Sequence, residues 1–583
     1  MDPLPRRPDL RTARSRFSSP AGNASHTRVQ RRDFGGKHMP TGGRIVVESL
    51  AAFGIDRVFC VPGESYLGLF DALYDRSDID TVVCRHEGGA GFMAVADARL
   101  TGRPGVVCVS RGPGASNAAI ALHTAQQDGV PLILLVGQVA AADLRRDSFQ
   151  EIDYAHMFGR IAKWVGEARR PDQLAEIMMR ALQIATTGVP GPVVVALPED
   201  VLTAEAGDAT IGQPTPLVMA PPAASVEDLR ERLAKAERPL LLAGSGLDRP
   251  GGREALLAFA EAWRVPVLVS FRRQDLFPNG HPLYAGDMGL SNPKAQMAAL
   301  EEADLLVVAG ARLSDITTQG YTWPGLVRPR VPLVHIHEDP QAIGGQFAAD
   351  LGLVCAAKDA LGALGTPPVA PPAGREAWAG RLVAIRAEIA RPKAKPARDG
   401  LPFETVVAAM AECLPHDAIV TLDAGTFGAP VYRVVPFHPP QRLLAPISGA
   451  MGFGVPAAVA AGLREPGRTV VCLVGDGGFL MTGSELAVAL ERDLPLKVIV
   501  SENGIYASIR IHQERDYPGR VIGTSFVNPD LEAMGRAYRC EVTRLSSEAD
   551  LARLPALLAA PGRQFIVVDT SVEAVIGVKP ASP

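Results

Sequence analysis

Between residues 469 and 503 an apolar run, a glycine turn, a helical stretch and a second apolar run follow one another, and this succession restricts the fold more than any other part of the chain. Residues 469–474 and 496–500 read as buried strands, Gly475-Asp476-Gly477-Gly478 as a turn and 483–492 as a helix. Such a strand-helix-strand unit closes with parallel strands and a right-handed crossover, so both strands end on one sheet edge. Asp476 and Asn503, 27 residues apart, are therefore expected side by side. A carboxylate and an amide oxygen are hard donors suited to Mg²⁺ or Ca²⁺. Glycines let backbone N–H groups approach a phosphate, because no Cβ intervenes. Taken alone, the four-residue turn reads more plainly as a structural turn with a capping aspartate; the spacing to Asn503 is what favours a metal-bound diphosphate.

The same alternation recurs along the chain. Strands at 57–61, 81–84, 106–110, 132–136 and 193–197 interleave with helices at 45–53 and 67–73 and with one running to His123. Strands at 239–243, 265–269, 304–308 and 333–337 repeat the style. The expected fold is α/β, with three doubly wound parallel-sheet domains. Pro/Ala-rich stretches at 203–225 and 365–374 read as linkers. The expected divisions are an Arg-rich leader at 1–38, an N-terminal domain at 39–202, a central domain at 226–364, a linker at 365–400 and a C-terminal domain at 401–583. The leader has no apolar run, so it does not read as a signal peptide; it is expected to be disordered, with Met39 as a candidate start.

Apolar residues make up 47% of the 583 and the formal net charge is −4, which supplies no basic surface for nucleic acid or an anionic membrane. No apolar run reaches the ~20 residues that cross a bilayer. Seven singly placed cysteines without a C-x-x-C pair point to buried thiols in a reducing compartment, hence to a cytoplasmic location. Gly244-x-Gly246 lacks the full dinucleotide fingerprint.

Glu87 stands where the strand at 81–84 passes into a helix, on the ligand-facing edge of such sheets. A lone glutamate there is more often a helix N-terminal charge. Its neighbours in order are VPGES (61–65), RHEGGAGFMAVADARLTG (85–102), SRGPGASN (110–117), FQEID (149–153), AMGFGVPAA (450–458) and GDGGF (475–479). By these motifs residues 41–578 resemble the thiamine-diphosphate-dependent enzymes of the acetolactate synthase type. The resemblance implies thiamine diphosphate and Mg²⁺ as cofactors. It implies Glu87 as the partner of the aminopyrimidine ring and Met451 as the apolar support beneath the cofactor. Gly475, Gly477 and Gly478 would surround the diphosphate, and Pro62, Gly63 and Tyr506 would be further cofactor contacts. The metal ligands would be Asp476, Asn503 and the backbone carbonyl of Ile505. It further implies decarboxylation of a 2-oxo acid with transfer to a second carbonyl, and a homodimer or homotetramer with active sites between subunits.

Four departures bear on substrate rather than cofactor. The usual Asn-Asn pair reads Glu502-Asn503; Gln-His-Gln reads Thr426-Phe427-Gly428; a pocket-shaping tryptophan is replaced by His512; and the flavin-contacting segment reads Arg312-Leu313-Ser314-Asp315-Ile316, without its second arginine. An isoleucine cannot supply the bidentate fork of an arginine, so FAD and the second 2-oxo acid are the two features the resemblance leaves open. Phe149, Gln150 and Lys163 match the family's substrate entrance, and with Phe427 and His512 they are the candidate substrate residues. A decarboxylase or C–C lyase with another donor or acceptor is the alternative, and a cofactor-binding homologue without turnover is a third reading.

Overall fold

The structure, a computed structural model, describes residues 39–576 apart from 208, 213–216, 218 and 394–395. The expected disordered leader at 1–38 lies outside the described residues. Three six-stranded sheets are formed, each parallel throughout. The first contains β1 (Arg57–Cys60), β2 (Asp80–Val83), β3 (Gly105–Val109), β4 (Leu132–Gln138), β5 (Trp164–Glu167) and β6 (Pro192–Pro198), in the order β2-β1-β3-β4-β6-β5. The second contains β7 (Pro239–Ala243), β8 (Val267–Val269), β9 (Tyr284–Asp287), β10 (Leu305–Ala309), β11 (Leu333–His337) and β12 (Leu351–Val354), in the order β12-β11-β10-β7-β8-β9. The third contains β13 (Ile419–Leu422), β14 (Arg442–Leu444), β15 (Val470–Gly475), β16 (Lys497–Glu502), β17 (Glu541–Leu545) and β18 (Gln564–Asp569), in the order β14-β13-β15-β16-β18-β17.

The first and third sheets thus share one topology, and the middle sheet has the other doubly wound order. In each sheet the strand order reverses beside its first strand, where consecutive crossovers leave to opposite faces and open a crevice at the carboxyl ends. Those points are β1/β3, β7/β10 and β13/β15. Each is followed by glycines: Gly63 after β1, Gly244 and Gly246 after β7, and Gly475 at the end of β15. The expected turn at Gly475–Gly478 is in fact the first turn of a helix, Asp476–Thr482, because Gly475 takes the extended N-cap conformation and Asp476 already enters the helix.

Helix Glu87–Thr101 packs on helix Gly454–Arg464 of the third sheet, so the first and third units share one apolar core. Residues Gly88 to Arg99 are all buried, which explains the run of Gly and Ala. A Cβ at Gly91 would stand 2.3 Å from the Ala121 Cβ. Phe92 meets Phe453 edge to face at 5.6 Å, and Arg464 closes the seam with ion pairs to Asp56 and Asp97. The middle unit is joined through buried charge: Asp248 receives Arg99 at 3.0 Å, Arg253 at 2.7 Å and Arg442 at 3.0 Å. Removing one member of such a buried network strands the others, at about 3–5 kcal/mol. No helix among the described residues is long and apolar enough to cross a membrane.

Candidate active site

β15 and β16 pair directly, with Gly475 opposite Ser501, and their ends bring Asp476 and Asn503 together as the crossover requires. The Asp476 carboxylate is buried and organises the edge. Its Oδ1 accepts from Gly477 N at 2.8 Å, and its Oδ2 from Asn503 N at 2.9 Å, Gly504 N at 2.7 Å and Asn528 Nδ2 at 2.9 Å. Asn503 Oδ1 accepts from Ile505 N at 3.2 Å, and the Ile505 carbonyl accepts from Ala507 N at 3.0 Å. Asn528 is a site residue that sequence reasoning misses; its partner lies 52 positions away and only tertiary folding joins them. Glu502 turns aside to Arg544, whose guanidinium lies 2.9 Å from it and also pairs with Glu532 and Asp569.

Beneath this edge, at the β13/β15 crevice, Asp423 is fully buried and holds the segment carrying Met451. It accepts from Gly452 N at 2.9 Å and Gly454 N at 3.0 Å, and Thr482 Oγ1 donates to the Gly452 carbonyl at 2.6 Å. Burial pushes the Asp423 carboxyl up to about 6 against the pull of those backbone N–H groups. The glycines are required by close neighbours. A Cβ at Gly477 would stand 2.7 Å from the Tyr506 ring and 3.4 Å from Met451 Cε, one at Gly478 3.0 Å from Asp423 Cγ, and one at Gly475 3.1 Å from the Phe427 ring. Met451, Phe427, Tyr506 and the three glycines therefore converge.

A second cluster forms at the β1/β3 crevice. Glu87 begins its helix behind the N-cap His86, whose Nδ1 accepts from Gly88 N at 3.0 Å. Asn117 Nδ2 donates to Glu87 Oε2 at 2.9 Å, and a Cβ at Gly114 would come within 3.3 Å of Glu87 Oε1. Gly63 abuts Ser110, while Pro62 is exposed. Gly112 N donates to the Gln150 carbonyl at 2.9 Å, which fastens the exposed Phe149-Gln150 loop beside the start of the Asn117 helix. Among the described residues no hydrogen bond or ion pair joins Glu87 to Asp476. What meets the junction before Glu87 is Glu485, whose Oε1 accepts from Arg85 N at 3.1 Å and His86 N at 2.9 Å.

Burial pushes the Glu485 carboxyl from its ordinary 4.5 up to about 7; the two N–H donors oppose the rise and the charge of Glu87 adds to it. The unfolded chain loses this proton near 4.5 and the folded chain only near 7. Stability therefore falls as pH rises through that window and levels off above it, by at most about 3 kcal/mol. Glu485→Gln keeps an acceptor for both amides and has no proton to release. We expect the wild type to lose melting temperature between pH 5 and 7.5 relative to this variant; parallel profiles would contradict the assignment.

Two expected substrate residues stand apart. Lys163 Nζ donates to the carbonyls of Thr187 at 2.7 Å and Val189 at 2.8 Å, and His512 is exposed on helix Ala507–Asp516. The β7/β10 crevice of the middle sheet is filled by the protein itself. Gly244 N and Gly246 N donate to the carbonyls of Ala309 and Gly310, Arg249 pairs with Glu338 at 2.7 Å, and Arg312 donates to the Gln127 carbonyl. About 20 Å³ remains, room for roughly one water. What is left of it is lined by Arg249, Arg312 and His337 beside Glu338.

The third-sheet edge, by contrast, fits a hard cation with a diphosphate. Asp476 and Asn503 supply oxygens, and the buried Asn528 Oδ1 has no hydrogen-bond partner, while helix Asp476–Thr482 begins without a side-chain cap. Three family models match: the thiamine pyrophosphate enzyme N-terminal TPP binding domain over 40–157, its central domain over 226–364 and its C-terminal TPP binding domain over 423–569. The probable acetolactate synthase large subunit of Methanocaldococcus jannaschii is 32% identical over 88% of each chain. The Escherichia coli acetolactate synthase isozyme 1 large subunit is 32% identical over 91% of this chain and 94% of its own. The Corynebacterium glutamicum acetolactate synthase large subunit is 30% identical over 89% of this chain and 84% of its own. With its three matched domains in order and its relatives aligned along most of its length, the chain belongs to the thiamine pyrophosphate enzyme family.

Proposed function

We propose that this enzyme decarboxylates a pyruvate-like 2-oxo acid and joins the remaining carbons to a second carbonyl compound, using thiamine diphosphate and Mg²⁺. When bound, the cofactor supplies a thiazolium that stores the electron pair left by the departing CO₂. Asp476, Asn503 and the Ile505 carbonyl would hold the cation, with Asn528 fixing the Asp476 carboxylate. Gly475, Gly477 and Gly478 would border the diphosphate, and Met451 would set the angle between the cofactor rings. Glu87, steadied by Asn117, would share a proton with the aminopyrimidine, while Pro62, Gly63 and Tyr506 complete the enclosure. The observation that carries the reading is the pairing, in one chain of this family, of the Asp476/Asn503 edge with the Glu87/Asn117 cluster.

Among the described residues no hydrogen bond or ion pair joins the two clusters, and exposed apolar side chains stand in the segments that carry them: Leu480, Met481, Ile509 and Val527 for Asp476, and Phe149 for Glu87. Such surfaces mark interfaces. We assign the complete site to a homodimer, or a tetramer of two dimers, in which Glu87 of one subunit faces Asp476 of the other. The domain limits are taken as 39–202, 226–364 and 401–583. Seven free cysteines, six of them buried, support a reducing, cytoplasmic setting.

Incubation of the pure protein with thiamine diphosphate, Mg²⁺ and pyruvate is expected to yield acetolactate; release of acetaldehyde alone would overturn carboligation. A decarboxylase or lyase with another donor or acceptor is the second reading, favoured by Phe427, which packs an apolar ring against Gly475 where the family carries a histidine. A panel of 2-oxo acids with and without added aldehydes separates the two. We also expect no flavin. The pure protein should lack absorbance near 450 nm and show no heat of binding with FAD; a yellow, stoichiometric complex would refute this.

A further inference from the structure

Ile316, which stands where an arginine is missing, packs against a large apolar cluster whose members include Phe271, Phe427 and Tyr432. On that same cluster lies a guanidinium from a different element. Arg272 follows β8, is 4% exposed, and holds the left-handed conformation with φ of 60°. A non-glycine residue is held there only when its surroundings dictate it, and such residues concentrate at functional sites.

The Arg272 Cζ stands 4.9 Å from the centre of the Phe271 ring and 5.9 Å from that of Tyr432. Its Nη1 donates to the Pro446 carbonyl, at the head of the segment that leads to Met451. Its Nε is buried without a hydrogen-bond partner, and the Tyr432 hydroxyl lies close enough for this guanidinium to oppose the rise that burial gives the phenol. Neighbouring arginines are neutralised: Arg273 pairs with Asp128 at 3.1 Å, and Arg253 and Arg442 both pair with Asp275. Among the described residues no carboxylate forms an ion pair with Arg272. Its charge does reach Asp423, the carboxylate beneath Gly478, and pulls that acid down against the larger effect of burial. A buried guanidinium without an anionic partner is costly, and a planar fork beside a hydroxyl is the arrangement that receives a carboxylate.

We propose that Arg272, with the Tyr432 hydroxyl, binds the carboxylate of a 2-oxo acid substrate, supplying from the turn after β8 the cation that position 316 lacks. This assignment rests on the proposed 2-oxo acid function. It gives the active site an anion anchor on the central domain.

The test compares Arg272→Gln and Arg272→Lys holoenzymes, loaded with thiamine diphosphate and Mg²⁺ and with one 2-oxo acid donor held saturating, on a panel of 2-oxo acid acceptors and on an uncharged aldehyde acceptor. The kcat/KM ratio of 2-oxo acid to aldehyde is expected to fall on the order of 100-fold in Arg272→Gln, mainly through KM, with partial recovery in Arg272→Lys and cofactor affinity within a few-fold of wild type. Tyr432→Phe should lower the same ratio by a smaller factor. An unchanged ratio, or equal losses on both substrates together with weakened cofactor binding, would show that Arg272 only braces the Pro446 segment and overturn the assignment. A wild type that turns over no 2-oxo acid overturns the functional reading, and this assignment with it.

Discussion

Asp476→Asn is expected to lower turnover by about 1,000-fold at moderate Mg²⁺, an order beyond the roughly 10–100-fold typical of a residue that only orients a ligand. The argument lies in what surrounds the carboxylate. Four N–H donors point at it, three of them at Oδ2. An amide nitrogen at either position turns toward donors it cannot accept from, and the negative charge that would hold a cation is gone. Asn528→Leu removes one of those donors and leaves the charge, so its loss should fall within the 10–100-fold range. A chelator should inactivate the wild type, and added Mg²⁺ should restore it but not Asp476→Asn. A Mg²⁺ titration of activity reads all three; a variant saturating at the wild-type Mg²⁺ concentration with wild-type turnover would remove Asp476 from the metal site.

The residues of this edge were legible in the sequence to different degrees, for physical reasons. Asp476 and Asn503 lie at the ends of two adjacent central strands, one with an uninterrupted apolar run and the other broken only by the buried Lys497, and one crossover rule places them together. Asn528 and Asp423 at this edge, and Glu485 at the junction before Glu87, meet their partners through tertiary packing and carry no local pattern. The fold shows the same division. Of the strands not read from the sequence, β5, β9, β12, β14 and β17 are sheet edges, while β13 and β18 lie inside the third sheet. β12 alternates exposed residues with covered ones, β17 is half-buried over its three middle residues, and β14 is three residues long; edges kept short and polar avoid unwanted pairing. Residue-level resemblance located Ile316 as a loss, but Arg272 is invisible to it. Only the shared apolar cluster shows that a guanidinium stands nearby.

Glu87→Gln is expected to reduce turnover on the order of 1,000-fold, within the 10²–10⁴-fold range of a positioned proton-transfer group, while leaving the protein folded and its diphosphate affinity nearly intact. The substitution preserves shape. Gln has the volume of Glu, and Asn117, which donates to Glu87 Oε2, can rotate its amide to meet either end of the new side chain. Gly114 leaves no Cβ near Oε1, so no steric penalty arises. What is lost is the capacity to take up and release a proton. Deuterium exchange at C2 of bound thiamine diphosphate should therefore slow in step with turnover, whereas the melting temperature with cofactor present should match the wild type. Asn117→Ala keeps the proton and loosens its position, so a loss nearer tenfold is expected for one hydrogen bond to a charged group. Unchanged C2 exchange in Glu87→Gln would refute the role of Glu87. Loss of cofactor binding in that variant would instead make the carboxylate a binding group, and the mixed heterodimer decides where it acts. A dimer carrying Glu87→Gln in one subunit and Asp476→Asn in the other concentrates both defects in one of its two shared sites and leaves the second intact. It should recover close to half of wild-type turnover, although each parent homodimer is nearly inactive.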